Sequence, residues 1–265
     1  MKLELLKTKD KEKLNFIIRE SNHVFVNTLR RLIVSEVPTL AIEELDVIKN
    51  DSALFDEMLA HRLGLVPLKT DLKSYVKLED CKCEGAGCAR CQLKLTIKVA
   101  GPRTVYANDI KSTDLAVTPV YPKMVITKLL DGQELELEMT AVLGIGRQHN
   151  KFTPGLCYFQ GYPIIKLKKS KNSEAIKECV AVCPTKVFSA KKDSLEIKEI
   201  TDCILCMACV EEFPGLVDLE SSKKDFVFRL ESWGQLEPKE IIIVALELFD
   251  QKLEKLNQEL KEIKT

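Results

Sequence analysis

Two groups of closely spaced cysteines constrain the fold of this chain more than any other feature. The first group has four cysteines within eleven residues: Cys81, Cys83, Cys88 and Cys91. The second group has three cysteines separated by two residues each and a fourth cysteine twenty residues before them: Cys183, Cys203, Cys206 and Cys209. Thiols that meet at a common ligand bring their backbone segments together, so each group predicts a small compact unit.

The spacing of the second group is that of iron–sulfur ligands. The run Cys-x2-Cys-x2-Cys binds a cluster together with a remote cysteine that precedes proline, and Pro184 follows the remote cysteine here. We therefore expect Cys183, Cys203, Cys206 and Cys209 to bind one 4Fe–4S cluster. Two alternatives stay open: a zinc ion at the same thiols, and a 3Fe–4S cluster if Cys206 is oxidised to a disulfide with Cys179.

A second cluster is not expected. Bacterial-type ferredoxins carry the run twice, and each run lends its last cysteine to the other cluster. The positions that the other cluster would use fall on Ser173, Ile176, Cys179 and Phe213. These leave a single sulfur, that of Cys179, one helical turn before Cys183. The sequence assigns no role to this thiol or to Cys157.

The first group predicts a structural zinc site. Its four thiols form two close pairs, and Gly85 and Gly87 lie between the pairs, where they allow the chain to fold back. Four thiolates in a tetrahedron suit Zn²⁺ and leave no position open for a substrate. The Cys-x-Cys spacing is tighter than the usual Cys-x2-Cys, and disulfides within the loop are the alternative.

Composition and charge exclude several classes of protein. Lys and Arg together number 40, as do Asp and Glu, so the net charge is zero and tight, sequence-independent nucleic-acid binding is not expected. Sequence-specific nucleic-acid binding is not expected either. The N-terminal segment is too short and too charged for a signal peptide, and no apolar run reaches the length of a membrane span. We expect a cytoplasmic protein that does not enter the membrane, and in a reducing compartment its content of ten cysteines indicates metal ligation rather than disulfide bonds.

The rest of the chain predicts an α+β fold. Two short strands, Leu3–Lys7 and Leu14–Arg19, precede a helix that begins at about Asn22 and that Pro38 ends. Apolar and polar residues then alternate from Leu93 to Leu143 with the period of a strand. This segment therefore predicts β-structure.

A turn signal lies inside the β-rich segment. Asp131-Gly132 separates the apolar stretch Val125–Leu130 from the alternating residues that follow it. Because Asp-Gly is typical of tight reversals between antiparallel strands, we expect a hairpin there.

The C-terminal segment predicts one long helix from about Pro238. Apolar residues recur along it at alternating steps of four and three: Ile242, Leu246, Phe249, Leu253, Leu256, Leu260 and Ile263. Such a heptad stripe is typical of a helix that packs against a partner helix. Packing on the chain's own domain is the alternative.

Three segments resemble the RNA polymerase α family. The helix Phe25-Val-Asn-Thr-Leu-Arg-Arg-Leu-Ile-Val-Ser-Glu-Val-Pro38 resembles the signature helix of that family. Ala60-His-Arg-Leu-Gly-Leu-Val-Pro-Leu68 and Gly144-Ile-Gly-Arg-Gln-His-Asn-Lys-Phe152 resemble its archaeal and eukaryotic branch. The first cysteine loop looks like the zinc loop of that branch. A ferredoxin-like insert before the last helix, here in a single-cluster form, is similar to the insert of archaeal members of the family.

This resemblance implies a fold of three parts. They are a discontinuous α-like dimerisation domain of antiparallel strands and long helices (1–42 and 223–265, with about 152–167), an inserted β-rich domain (43–151) with the zinc loop (81–91), and a ferredoxin-like iron–sulfur domain (168–222).

The resemblance also implies partners. Such a subunit forms a heterodimer with a smaller α-like subunit, L, and the pair assembles with subunit N and the large catalytic subunits. The first and last helices would form the dimer interface through Phe25, Leu29, Leu32, Ile242, Leu246, Phe249, Leu253, Leu256 and Leu260. The function implied is a non-catalytic platform for assembly of DNA-directed RNA polymerase, a nucleotidyltransferase.

Two other functions are weighed against this one. The iron–sulfur spacing alone favours a ferredoxin-like electron carrier, and the four-cysteine loop alone favours a nucleic-acid binder. The first leaves the heptad stripe unexplained, and the second lacks surplus positive charge. No catalytic residues are expected, because Asp46, Asp51 and Asp56 do not form an acidic triplet and no nucleophile accompanies His61 or His149.

Overall fold

The computed structural model describes residues 1–168, 172–191 and 194–263. The helices are α1 (His23–Glu36), α2 (Asp56–Gly64), α3 (Ser173–Val182), α4 (Ala208–Glu212) and α5 (Pro238–Glu262). The strands are β1 (Lys2–Leu6), β2 (Lys13–Arg19), β3 (Pro38–Asn50), β4 (Gln92–Ala100), β5 (Arg103–Tyr106), β6 (Lys111–Ser112), β7 (Val125–Leu129), β8 (Glu134–Ile145), β9 (Gly155–Leu167), β10 (Phe188–Lys191), β11 (Ser194–Ile197) and β12 (Val217–Ser232). Residues 169–171 and 192–193 of the predicted ferredoxin-like domain and residues 264–265 of the predicted dimerisation domain lie outside the described residues.

Contacts between residues divide the chain into two compact units. The first comprises residues 1–9, 15–28 and 158–229, and the second comprises residues 10–14, 29–157 and those from 230 onward. Each unit contains helices and antiparallel strand pairs, as the predicted fold class requires. None of the described helices combines the length and the apolar character needed to cross a membrane.

The first unit is built on a four-stranded sheet of order β1-β2-β12-β9. The predicted first two strands are present and pair antiparallel. The rings of Phe16 and Phe228 stack on this sheet with centroids 5.0 Å apart. Helix α1 begins after Asn22, whose side-chain oxygen accepts a 2.8 Å hydrogen bond from the Phe25 N–H and so caps the helix.

The cysteine-rich segment has an apolar core of its own within the first unit. Helices α3 and α4 and the antiparallel pair β10–β11 contribute to it. Ile176 and Cys179 are buried in this core, and Phe213 packs against it. Three of the positions that a second iron–sulfur cluster would use are therefore occupied by side chains that pack together.

The second unit is built around β8. This strand lies between β3 and β4 in a sheet of order β3-β8-β4-β6, and it pairs antiparallel with both neighbours. Helix α2 and the two-stranded sheet β5-β7 share one core with this sheet, in which Leu59, Leu63, Ile97 and Leu137 are fully buried. Burial of each such side chain contributes about 1.5–3 kcal/mol, so this core is the main stabilising element of the unit.

The predicted hairpin at Asp131-Gly132 is wrong, although the turn itself is present. Gly132 has a φ of +73°, and the Gln133 N–H donates to the Leu130 carbonyl at 3.2 Å. The strands on either side enter different sheets: β7 pairs with β5, while β8 pairs with β3 and β4. Since both edges of β8 are occupied, no edge is left for β7.

The segment Gly144–Phe152 packs against the C-terminal end of α1. The Arg147 N–H donates to the Ser35 carbonyl at 3.0 Å, and the Thr153 hydroxyl donates to the Val34 carbonyl at 3.4 Å. A Cβ atom at Gly146 would lie 2.0 Å from the Val34 carbonyl oxygen, so only glycine fits this approach. The segment thus serves to satisfy carbonyl groups that the helix end leaves without an intrahelical partner.

Helix α5 is the long C-terminal helix that the sequence predicts. It has proline in its first turn, where a missing N–H leaves no hydrogen bond unmade. Ile241 and Ala245 are fully buried, whereas every described residue from Gln251 onward is exposed. The helix therefore has an anchored first half and an uncovered second half.

Replacement of Gly146 by Ala tests the packing of this segment on α1. We expect Gly146→Ala to destabilise the protein by about 1–3 kcal/mol, because the added methyl group meets a backbone oxygen. The measurement is the midpoint of urea unfolding. Gly215→Ala is the matched control, since a Cβ atom there meets nothing within 4 Å. Equal midpoints for the two variants would contradict the close approach.

Candidate metal centres and interface surface

The loop between Cys81 and Cys91 is folded by short backbone turns. Turns begin at Cys81, Cys83 and Cys88, whose carbonyl groups accept backbone hydrogen bonds of 3.1, 3.0 and 2.9 Å. Gly85 and Gly87 have φ values of +86° and +83°, in the left-handed region that favours glycine. The two glycines thus perform the task expected from the sequence: they reverse the chain between the cysteine pairs.

The four thiols of this loop converge. Their Sγ atoms all lie within 4.8 Å of one another. The individual separations are 3.5 Å for Cys81–Cys88, 3.6 Å for Cys83–Cys91 and 3.8 Å for Cys88–Cys91. Four sulfurs bound to one ion at about 2.3 Å in a tetrahedron are about 3.8 Å apart. The group could therefore hold a metal ion with little movement.

The pKa values of the thiols in this loop are shifted in different directions. The pKa of Cys83 is lowered to about 7, mainly by its hydrogen bond with Cys81. Hydrogen bonds from the N–H groups of Gly85 and Gly87 lower it further. Burial is the main cause that raises the pKa of Cys91 to about 12. A bound cation favours the thiolate form of each ligand, so metal binding at this loop releases protons.

Disulfide bonds are the alternative for this loop. All ten cysteines are free thiols in the structure. The shortest of these sulfur separations, 3.5 Å, is far longer than an S–S bond of about 2.0 Å. The geometry favours a metal over a disulfide.

The predicted iron–sulfur ligands lie in one neighbourhood of the first unit. Cys203 and Cys209 are buried in the apolar core of the cysteine-rich segment, Cys183 packs against that core, and Cys206 is exposed. Burial, followed by the charges of Cys203, Cys206 and Cys183, raises the pKa of Cys209. The four thiols are therefore close enough to interact electrostatically.

These four thiols are spread more widely than those of the first loop. In the described part of the chain they do not form a group whose ligand atoms all lie within 4.8 Å. Four irons hold their ligands farther apart than a single ion does. The arrangement of these thiols thus differs from that of the four-thiol loop.

Backbone N–H groups donate to two of these thiols, Cys203 and Cys183. Leu205 and Met207, on either side of Cys206, have φ values of +57° and +65°. Burial raises the pKa of Cys203, and a hydrogen bond from the Leu205 N–H opposes this shift. The Val187 N–H donates to the Cys183 sulfur at 3.4 Å. Left-handed residues that turn N–H groups inward form concavities for anions, and many iron–sulfur sites have them.

Two strand residues hold the segment that carries Cys203, and the sequence gives no signal for either. Gln160 of β9 donates its side-chain N–H to the Cys203 carbonyl at 2.6 Å. Arg229 of β12 donates to the Thr201 carbonyl at 2.5 Å. Polar residues in strands are common, so only the folded chain identifies these two.

The remaining two cysteines are buried. Burial is the main cause that raises the pKa of Cys179 to about 11, and the charges of Cys209 and Cys183 add to it. Burial also raises the pKa of Cys157, in β9, to about 12. Both thiols are therefore kept protonated, and Cys179 lies beside the predicted cluster ligands.

The predicted interface residues differ in exposure. On α5, Leu246, Leu253, Leu256 and Leu260 are 39% to 52% exposed. Ile242 and Phe249 are half-buried, as is Phe25 of α1. Leu29 and Leu32 of α1 are buried within the chain. The exposed apolar surface of this set thus belongs to α5, and most of it to the second half of that helix.

The two histidines of the family-like segments lie on the surface of the second unit. His149 is exposed, and its Nδ1 accepts a hydrogen bond of 3.1 Å from the Lys151 N–H, so it stabilises a turn. His61 is exposed on α2. Within the described residues, neither belongs to the four-thiol group or to the apolar core around the second cysteine group.

Comparisons with known proteins agree with this architecture. The family model "RNA polymerase Rpb3/RpoA insert domain" matches residues 44–154. DNA-directed RNA polymerase subunit Rpo3 of Methanosphaera stadtmanae is 36% identical over 262 residues, which cover 95% of this chain and 96% of the relative. Rpo3 of Archaeoglobus fulgidus is 33% identical, with 98% of each chain covered. DNA-directed RNA polymerase II subunit rpb3 of Dictyostelium discoideum is 33% identical, with 98% of this chain and 95% of the relative covered.

These relatives match over nearly their whole length and over nearly the whole of this chain. The chain therefore belongs to the family of DNA-directed RNA polymerase subunits that includes archaeal Rpo3 and the rpb3 of Dictyostelium discoideum.

Proposed function

We propose that this chain is the non-catalytic platform subunit of a DNA-directed RNA polymerase. It forms a heterodimer with a smaller α-like subunit, L, and the pair binds subunit N and the large catalytic subunits. The observation that carries the proposal is the row of exposed leucines on α5: Leu246, Leu253, Leu256 and Leu260. Their heptad spacing is that of a helix that packs against another helix.

The energetics of α5 support a partner. A helix whose apolar stripe faces water gains about 1.5–3 kcal/mol for each leucine that a partner covers completely. Contiguous exposed apolar surface of this kind is uncommon on monomeric proteins and marks interaction sites. Leu29 and Leu32 are already buried within the chain. In this proposal they therefore pack behind the interface, while Phe25 and α5 contact the partner.

The roles of the acidic residues support a non-catalytic subunit. Asp51 accepts a 3.0 Å hydrogen bond from the Glu134 N–H, and Asp56 accepts a 2.7 Å hydrogen bond from the Asn50 side chain. The Asp51 carboxylate therefore joins the end of β3 to the start of β8, and the Asp56 carboxylate stabilises the local segment between β3 and α2. A polymerase metal site needs carboxylates that converge on an ion, which these do not.

The domain arrangement and the location are part of the proposal. The dimerisation domain comprises 1–42, about 152–167 and 223–265, and it carries the inserted domain 43–151 and the ferredoxin-like domain 168–222. The protein acts in the cytoplasm, without membrane contact and without sequence-specific contact to nucleic acid. Its zero net charge also argues against tight, sequence-independent binding to nucleic acid.

We propose that Cys81, Cys83, Cys88 and Cys91 bind one structural Zn²⁺. The support is a set of sulfur separations of 3.5 to 3.8 Å, close to the edge of a tetrahedral four-thiolate site. A closed site of this kind supplies folding stability and has no position for a substrate.

We propose that Cys183, Cys203, Cys206 and Cys209 bind one iron–sulfur cluster, 4Fe–4S with all four thiolates or 3Fe–4S without Cys206. The support is their shared core and the N–H groups directed at them. Because the segment is small, metal ligation stabilises its fold, and we assign the cluster a structural or assembly-regulating role. The alternative, a ferredoxin-like electron carrier, leaves the α5 stripe without a purpose.

A charge in the α5 stripe tests the platform function. We expect Leu256→Asp to weaken binding of the small α-like subunit by about 30-fold, the equivalent of about 2 kcal/mol of lost leucine burial. Gln258→Asp is the matched control, because it adds the same charge two residues away on the opposite face of the heptad. The measurement is the dissociation constant of the purified pair. A wild-type constant for Leu256→Asp would contradict the proposal.

Two cysteine variants separate the metal centres, and each is the control for the other. We expect Cys88→Ser to lower the zinc content with iron retained, and Cys209→Ser to lower the iron content with zinc retained. The measurement is metal analysis after anaerobic purification, with electron paramagnetic resonance to distinguish three irons from four. Loss of the same metal in both variants would overturn the assignment of two separate centres.

Folding of the cysteine-rich segment tests the role of the cluster. We expect Cys203→Ser with Cys209→Ser to unfold this segment and to lower the yield of the heterodimer, because the ligands also hold the core together. Limited proteolysis and yield on co-expression are the readouts. A segment that stays folded while transcription is lost would instead indicate an electron-transfer or sensing role.

A further inference from the structure

Glu36 occupies a position that local electrostatics disfavours. It is the last residue of α1, and that turn contains no basic residue. The C-terminal end of a helix carries partial negative charge, so a carboxylate there is destabilising unless cations compensate it. The Glu36 side chain is only 13% exposed, so water screens its charge poorly.

Two cations from different parts of the chain compensate this carboxylate. The Arg147 guanidinium, in the loop after β8, contacts Oε1 of Glu36. Lys252 Nζ, on α5, lies 3.3 Å from Oε2. Each carboxylate oxygen thus binds a separate element, and Glu36 joins the end of α1, the 144–152 loop and α5.

The geometry on the Arg147 side is held by the backbone. The Arg147 N–H donates to the Ser35 carbonyl at 3.0 Å, one residue before Glu36. Gly146 is confined against Val34, where a Cβ atom would lie 2.0 Å from the carbonyl oxygen. The loop therefore cannot slide along the helix end, and the guanidinium is directed at the carboxylate in advance.

Lys252 lies at the boundary between the anchored and uncovered parts of α5. Ile241 and Ala245, two to three turns earlier, are fully buried, whereas every described residue after Lys252 is exposed. The ion pair with Glu36 is thus placed where the helix loses its apolar anchorage. The direction of the leucine stripe beyond this point depends on what holds the helix here.

We propose that Glu36, with Arg147 and Lys252, forms an ionic latch that fixes α5 on the second unit and so orients the leucine stripe for its partner. Glu36 is a positioning residue: it lies on α1, outside the leucine stripe, and it is not a member of the four-thiol group. The part of the inference that concerns the partner rests on the proposed platform function, whereas the latch itself is a property of this chain.

The direction in which Glu36→Gln changes hydrogen exchange distinguishes the latch from an effect of Glu36 on α1 alone. If Glu36 acted only on α1, removal of its charge would relieve the unfavourable helix-end interaction and slow hydrogen exchange. If Glu36 latches α5, the same change frees Lys252 and loosens a different helix. Fully exposed ion pairs contribute little to stability, but the Glu36 carboxylate is mostly buried, so its ion pairs are less screened by solvent.

The first experiment is hydrogen exchange of the full chain. We expect Glu36→Gln to speed exchange of the amides around 246–252 in α5 by about tenfold, with α2 unchanged. Lys255→Met is the matched control, because it removes the Lys255–Glu259 pair of 4.0 Å within the same helix and does not touch Glu36. Unchanged or slower exchange in α5 for Glu36→Gln would overturn the latch.

The second experiment is a double-mutant cycle on affinity for the small α-like subunit. Lys252 flanks the leucine stripe and could contact the partner directly, so Glu36→Gln is the primary variant and Lys252→Met completes the cycle. We expect Glu36→Gln to weaken binding about tenfold in wild type and to have little effect in Lys252→Met. Equal effects in both backgrounds would contradict coupling through α5.

The two experiments fail in different ways. Faster exchange in α5 without any change in affinity would keep the latch and remove its role at the interface. Absence of binding by the wild-type chain would contradict the platform function and leave the exchange result intact.

Discussion

The second unit depends on the pairing of β8 with both of its neighbours. Strand β4 begins at Gln92, directly after Cys91, and Gln92 pairs with Val142 of β8. The register of this pair therefore fixes where the four-thiol loop closes. The same end of β8 leads into the loop that holds the end of α1, so this strand also determines the position of Glu36 and, through Lys252, of α5. A shift of one residue in β8 would turn its buried side chains to the solvent face.

The two cysteine groups differ in how much apolar packing stabilises the segment around them. The first is a loop without an apolar core, in which the thiols themselves converge to within 4.8 Å and a single ion is enough to close it. The second is a segment with a modest core that Cys203 and Cys209 help to form, and it is held by Gln160 and Arg229 as well as by its thiols. We expect the first loop to lose its shape without metal and the second to lose its packing as well.

Local rules predicted the elements, and competition between distant elements decided the rest. The strands β1 and β2, the start of α1 near Asn22 and the extent of α5 follow from turn, helix-end and periodicity rules that act over a few residues. The partner of β7 did not follow, because the Asp131-Gly132 turn specifies a reversal of the chain and not which strand occupies the edge of β8. The four-thiol loop was predictable because its ligands are near in sequence. Gln160, Arg229 and the Glu36 contacts were not, since each joins residues more than twenty positions apart.

The proposed platform function depends on whether a partner covers α5. A photo-reactive amino acid placed at position 256 in the assembled polymerase measures this directly, because it reports which chain lies against the stripe. We predict a cross-link to a helix of the small α-like subunit, at a yield that falls when the crosslinker is moved to position 258. A cross-link to another subunit, or equal yields from the two positions, would contradict the platform function.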